Sequence, residues 1–391
     1  MQEIKVGFVC CSGFKRLHAF GGAFYRYFKG EKAGQVPHPY FITGVSTGAI
    51  ASAVYLPWTE ENFSKATRAI MKLKKKNIYS FSHWLELYGA MSLGESMLNF
   101  IPALHRDSQQ TPHGRILLES GRTALSVAAK FWLFWKFLKQ PSIFSSEPLR
   151  HLLKNSQSHL DFNGIWNSDI KLEIPAANLK TARTEYFTNY LPEHREAPNR
   201  NGLLVDWTMA SSSMPAFLPA IQIGHRLLDD AALLDNLPLD RAIQAGCDVV
   251  FVLIFRPYLE KIFLRSDKIN WTEELSRAMD LTIGRSTELT LERHQEINND
   301  LKIIERLKEK VSKLYNREGR TTSEMNTLEC MSYDISKLSA HGLKKTKIIP
   351  VWCEKSLPSL TFNNFNSESL QKAYELGYEA MDKTLAEINF K

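Results

Sequence analysis

The chain has 391 residues, 44% of them hydrophobic and 23% charged, the balance of an ordinary soluble globular protein with length for one large domain or two small ones. Its formal net charge of +7 and pI of about 9.0 favour acidic partners such as anionic lipid, and no nucleic-acid motif accompanies the charge, so no nucleic-acid partner is expected. The five cysteines (Cys10, Cys11, Cys247, Cys330, Cys353) are odd in number and form no C-x-x-C pair, which argues against a zinc site or a disulfide framework and for a reducing compartment.

Residues 4–10 (IKVGFVC) form an apolar, β-rich run that suits a strand covered on both faces. The first residues do not show the basic, apolar and small-residue pattern of a secretory signal, so a cytoplasmic location, with peripheral membrane contact, is expected. Residues 18–29 read as a helix with aromatics on one side, 39–43 as a second strand, 44–48 as a tight turn and 49–56 as a small-residue helix. Strand, helix, strand, turn, helix is the order of an α/β fold. A helix over 60–76 ends in a lysine run. Residues 91–104 and the very apolar 124–138 follow, then a short helix start over 146–153. Strands are expected at 170–179, 248–255 and 347–353, a short helix at 206–214 and a last amphipathic helix at 367–388. Residues 270–345 are charge-rich and helical.

Gly44-Val45-Ser46-Thr47-Gly48 fits G-x-S-x-G between a predicted strand and a predicted helix, the context in which the motif marks a nucleophile. Gly44 and Gly48 form the elbow: their missing side chains let strand and helix approach around a serine held on a sharp turn. The helix N-terminus beyond Ser46 places positive dipole charge near a developing anion. The competing reading is an ordinary glycine-flanked turn. A serine also needs a base. None of the 11 histidines sits in a context that marks it as one, whereas residues 227–238 (LLDDAALLDNLP) set Asp229 and Asp230 between apolar and small residues that would desolvate a carboxylate. On composition alone the same stretch reads as a loop of solvated acids.

Residues 209–221 (MASSSMPAFLPAI) followed by 228–238 resemble the patatin-like phospholipases, with their alanine–serine segment, P-x-F-x-P, D-G-[GA] and N-x-P. The resemblance implies that Asp230 is the catalytic aspartate, Asp229 a neighbour, and Ala231 and Ala232 the small residues after it. The first of these is normally glycine. It extends to residues 171–187, 248–255 and 347–382, and leaves 80–140 and 265–345 as additions. It implies a three-layer α/β/α sandwich with a mainly parallel central sheet, in a single domain over 1–391. The family's oxyanion turn, G-G-G-x-[RK]-G, corresponds to Cys11-Ser12-Gly13-Phe14-Lys15-Arg16, where only Gly13 and Lys15 keep the pattern. The oxyanion donors are therefore expected at Cys11, Ser12 and Gly13, with Lys15 nearby.

Residues 124–138 interleave Phe131, Trp132, Phe134, Trp135 and Phe137 with Lys130 and Lys136, which suits a headgroup boundary and is short for a span. An interfacial or lid segment and a core helix capping the cleft are both open, and the charged 265–345 region reads as a solvated helical hairpin. The reaction implied by the resemblance is hydrolysis of fatty-acyl esters, of phospholipid or another lipid, by a Ser46–Asp230 dyad with no metal or organic cofactor and with peripheral membrane contact. The alternatives are a weak or inactive membrane-associated scaffold and a soluble esterase or thioesterase. Head group and oligomeric state are not legible in the sequence.

Overall fold

The computed structural model describes residues 4–13, 16–81, 142, 144–154, 160–215, 217–255, 271–316, 321–339, 345–353, 357, 366–388 and 390. The expected segments at 91–104 and 124–138, and the oxyanion-turn residue Lys15, lie outside them. The described chain runs β1 (Val6–Cys10), α1 (Leu17–Lys32), β2 (Pro39–Gly44), α2 (Thr47–Tyr55), α3 (Glu60–Met71), β3 (Ser80–Phe81) and β4 (Phe144–Ser145). It continues through α4 (Glu147–Lys154), α5 (Phe162–Asn167), β5 (Lys171–Asn178), β6 (Arg183–Thr188), α6 (Pro192–Arg195), α7 (Arg200–Ser211), β7 (Ile221–Ile223) and β8 (Arg226–Asp230). It closes with α8 (Leu239–Gln244), β9 (Val249–Leu253), α9 (Trp271–Tyr315), α10 (Thr322–Ser339), β10 (Lys347–Val351) and α11 (Ser367–Ala386).

The main sheet has the order β10-β9-β1-β2-β5-β8-β7, with β6 on the far side of β5. Strands β10, β9, β1, β2 and β5 are mutually parallel, and β6 and β8 run antiparallel to β5. One edge of β5 is shared. Phe41–Thr43 of β2 pairs with Lys171–Glu173, and Asp230–Leu228 of β8 pairs with Ala176–Asn178. The C-terminal ends of β2 and β8 therefore meet head to head along β5, which sets the site.

β1 is buried along its whole length because both faces are covered. Val6, Phe8 and Cys10 join the larger core with α1, α2, α3, α7 and α11, while Val9 joins a smaller core with α8 and Leu291 of α9. Helices thus cover both faces of the sheet, the layered α/β arrangement expected from the strand–helix alternation. Phe8 packs edge-on against Phe24 and Tyr27 of α1, at 5.3 and 4.8 Å between ring centres. Burying such a ring contributes about 1.5–3 kcal/mol. α1 and α11 cross in backbone contact: a Cβ at Gly22 would stand 2.0 Å from the Tyr374 carbonyl oxygen, and one at Gly377 2.0 Å from that of Ala19.

The strands fall where the apolar runs placed them, within two residues. The helix expected over 60–76 stops at Met71, with Lys72 as its C-cap. The helix expected at 206–214 is longer and begins at Arg200, because Leu204, Val205 and Trp207 bury a face that the polar start conceals. The charge-rich 270–345 region holds two packed helices, α9 of 45 residues and α10 of 18. Among the described residues, no helix is long and apolar enough to cross a membrane.

Candidate active site

β2 ends at Gly44, and the Val45 N–H donates to the Cys10 carbonyl at 2.9 Å, tying the turn to β1. Ser46 then adopts φ 58° and ψ −121°, a positive φ on a residue with a side chain, before α2 begins at Thr47. Such backbone costs of order 1–3 kcal/mol and persists only where its surroundings enforce it. The two glycines do so. A Cβ at Gly44 would stand 2.3 Å from the Gly48 carbonyl oxygen, and one at Gly48 would stand 2.6 Å from the Cys10 carbonyl oxygen. Ser46 itself is buried.

Asp230 closes β8, opposite Ala176 of β5. Its N–H donates to the Ser213 carbonyl at 3.2 Å and to the Asp229 carboxylate at 2.9 Å. Ala231 is fully buried, and the Ala232 N–H donates to Asp230 Oδ1 at 2.9 Å, so the small pair folds back over the carboxylate. Burial pushes the Asp230 carboxyl up to about 7, against hydrogen bonds from the Ala232 N–H and the Ser46 side chain that pull it down, and Asp229 adds to the rise. Burial also raises Asp229, to about 6, while the Asp230 N–H stabilises its charge. Ser46 and Asp230, 184 positions apart, are neighbours in the fold, near enough for the serine side chain to stabilise the Asp230 carboxylate. None of the hydrogen bonds described for His18, His38, His194 or His294 reaches either one.

The serine-rich segment after α7 joins the two. The Ser46 N–H donates to Ser211 Oγ at 3.2 Å, and the Ser213 carbonyl accepts from Asp230. Ser212 and Ser213 turn their hydroxyls back onto the helix carbonyls of Thr208 and Met209. Small side chains let α7 end against both the elbow and the strand. Ser211 is a site residue that sequence reading missed: its motif was visible, but which of three adjacent serines faces the elbow depends on the helix phase.

The oxyanion turn is less open. The Cys11 N–H donates to the Leu253 carbonyl at 3.2 Å, as a continuation of the sheet, and the Ser12 N–H donates to Asn236 Oδ1 at 3.2 Å. Gly13 holds φ 143°, and its carbonyl accepts from the Thr47 hydroxyl at 2.7 Å, which seats the turn on the start of α2. The Arg16 guanidinium donates to the Ser12 carbonyl and lies where a Gly13 side chain would project. Of the expected donors, Cys11 and Ser12 thus have partners within the fold, and Gly13 faces α2. Among the described residues, no group of three or more His, Cys, Asp or Glu side chains could hold a metal ion.

A strained serine above the ends of parallel strands, with a buried carboxylate beside it, is an arrangement suited to nucleophilic catalysis. The chain belongs to the patatin-like phospholipase family, whose model matches residues 9–243. Lipid acyl hydrolysis, with lipid esters as substrates, is therefore its general activity. No curated protein matches the sequence. Among solved structures, VipD from Legionella pneumophila is similar at 13% identity, covering 98% of this chain and 67% of that one with a TM-score of 0.37.

Proposed function

We propose that the protein hydrolyses fatty-acyl esters of phospholipids, as a phospholipase A or lysophospholipase, through an acyl-enzyme on Ser46 with Asp230 as base. The observation that carries this reading is the strained elbow of Ser46 held through Ser211–Ser213 beside the buried Asp230 carboxylate, which burial raises to about 7. A base with a pKa near the working pH combines a useful ionised fraction with driving force for proton transfer.

The Asp230 carboxylate takes the Ser46 hydroxyl proton as Oγ bonds to the ester carbonyl carbon. The tetrahedral oxyanion is held by the N–H groups of Gly13 and of Thr47, the residue after the nucleophile, beside the positive end of α2. The intermediate collapses, the ester C–O bond breaks, and the leaving alcohol takes the proton from Asp230. Water then adds to the acyl carbon, giving its proton to Asp230, and the fatty acid leaves as Ser46 Oγ recovers a proton. Docking on an anionic lipid surface accords with the net charge of +7.

The test is fatty-acid release from mixed phosphatidylcholine and phosphatidylglycerol vesicles. Release by wild type that Ser46→Ala and Asp230→Asn both abolish supports the dyad, and full activity in Ser46→Ala sinks it. One observation favours a second reading, a weak or inactive membrane-bound scaffold: the amides of Cys11 and Ser12 are already occupied. Firm vesicle binding with no release by folded wild type would select it.

A further inference from the structure

The Asn236 side chain lies between the oxyanion turn and α9. Its Oδ1 accepts from the Ser12 N–H at 3.2 Å, and its Nδ2 donates to Thr287 Oγ1 at 2.6 Å. Both Asn236 and Thr287 are buried, at 2% and 1% exposure. The Thr287 hydroxyl donates its one proton to the Ile283 carbonyl at 2.8 Å, so toward Asn236 it can act only as an acceptor. That polarity fixes the amide: its NH2 must face Thr287 and its oxygen must face Ser12. Further along the same face of α9, Leu291 packs into the core with Leu237 and Leu239. His294 Nε2 meets Asp240 Oδ1 at 3.0 Å, and Asn298 exchanges two hydrogen bonds with the backbone of Thr346. Residues 287, 291, 294 and 298 make one stripe at helical spacing; the first three grip the segment that follows Asp230, and Asn298 holds the residue before β10.

We infer that Thr287 is a positioning residue for acyl transfer: through Asn236 it holds the Ser12 amide, and so the adjoining Gly13 donor, in register with Ser46. The seating of α9, which lies beyond the matched residues 9–243, then sets the catalytic rate. The inference rests on the Ser46–Asp230 reading for the reaction it tunes, and its geometry is independent of that reading.

The experiment compares wild type, Thr287→Val and Thr287→Ser in three readouts: hydrolysis of p-nitrophenyl butyrate and of mixed phosphatidylcholine and phosphatidylglycerol vesicles, labelling of Ser46 by a fluorophosphonate, and hydrogen exchange at the Ser12 amide. Thr287→Val removes the acceptor at nearly constant shape, and Thr287→Ser keeps it. Expected are a fall in kcat of about tenfold in Thr287→Val with KM and the labelled fraction nearly unchanged, faster Ser12 exchange, and recovery of both in Thr287→Ser. Thr287→Ala replaces the valine protein if that fails to fold. Wild-type kcat in Thr287→Val, an equal loss in Thr287→Ser, or a loss confined to KM or to the labelled fraction overturns the inference. Wild type that neither labels nor hydrolyses overturns the Ser46–Asp230 reading instead. The exchange arm then decides the coupling alone, with unchanged Ser12 exchange counting against it.

Discussion

The nucleophile elbow and the oxyanion turn sit side by side at the ends of β2 and β1, joined by the bond from Val45 to Cys10, and they are built on different principles. The elbow is fixed by backbone. Its glycines abut carbonyl oxygens that cannot retreat, and the strained Ser46 follows from them. The turn is fixed by side chains. Asn236 takes the Ser12 amide, Arg16 takes the Ser12 carbonyl, and Thr47 holds Gly13. A backbone-built feature tolerates no substitution at its contacts. A side-chain-built feature accepts Cys and Ser where the family keeps glycine, and depends on residues far along the chain.

Three substitutions probe this difference. Ser46→Ala should reduce lipid hydrolysis by roughly 10⁴–10⁶-fold with little loss of fold, as removal of a nucleophile does, measured as fatty-acid release against thermal unfolding. Gly48→Ala should destabilise the protein by about 2–4 kcal/mol, because its Cβ would press on backbone and Cβ atoms of Cys10, read as a shift in urea unfolding. Gly13→Ala should be milder for the fold, at about 1–2 kcal/mol. Its Cβ meets the far end of the Arg16 side chain, which can swing away, so the strain at φ 143° is what remains. Its cost should appear in kcat, by roughly tenfold or more, if the Gly13 amide holds the oxyanion. A Gly13→Ala protein less stable than Gly48→Ala would break the comparison.

Legibility in the sequence divides along the same line. Gly44-x-Ser46-x-Gly48 could be read because its steric reasons lie within five residues and adjoining elements. Asp230 could be singled out from Asp229 only through the family resemblance, counted back from Pro238, because composition alone left that stretch as a solvated loop. Three ladder pairs with β5 make its first half a strand. Ser211 was hidden by helix phase. The Asn236–Thr287 bond was hidden by distance, since its partners are 51 positions apart and meet only when α9 packs against α8 and the loop before it. The strands were legible because buried parallel strands are nearly continuous apolar runs. The start of α7 was not, because polar residues and Gly202 precede its buried face.

The segment from Asp230 to Asn236 reaches both features, Ser46 at one end and Ser12 at the other, and its carboxylate gives the most directional effect. Asp230 holds its proton up to about pH 7 in the fold and releases it near 3.8 when unfolded. Between those values the folded protein binds the extra proton. Stability therefore falls as pH rises from about 4 to about 7, then levels off, and Asp229, raised to about 6, acts in the same sense. With Asp230 as the proposed base, catalysis uses the ionised form, so kcat/KM should rise with pH through about 7 while stability declines. Asp230→Asn removes that opposition. Its stability should match wild type near pH 4 and exceed it by about 1–3 kcal/mol above pH 7, with hydrolysis lost throughout. Urea unfolding at pH 4, 6 and 8 measures both arms. An Asp230→Asn protein less stable than wild type at pH 8 would show that the carboxylate's interactions, its bond from the Ala232 N–H among them, outweigh its desolvation. The elbow would then owe its geometry to the ion as well as to its glycines.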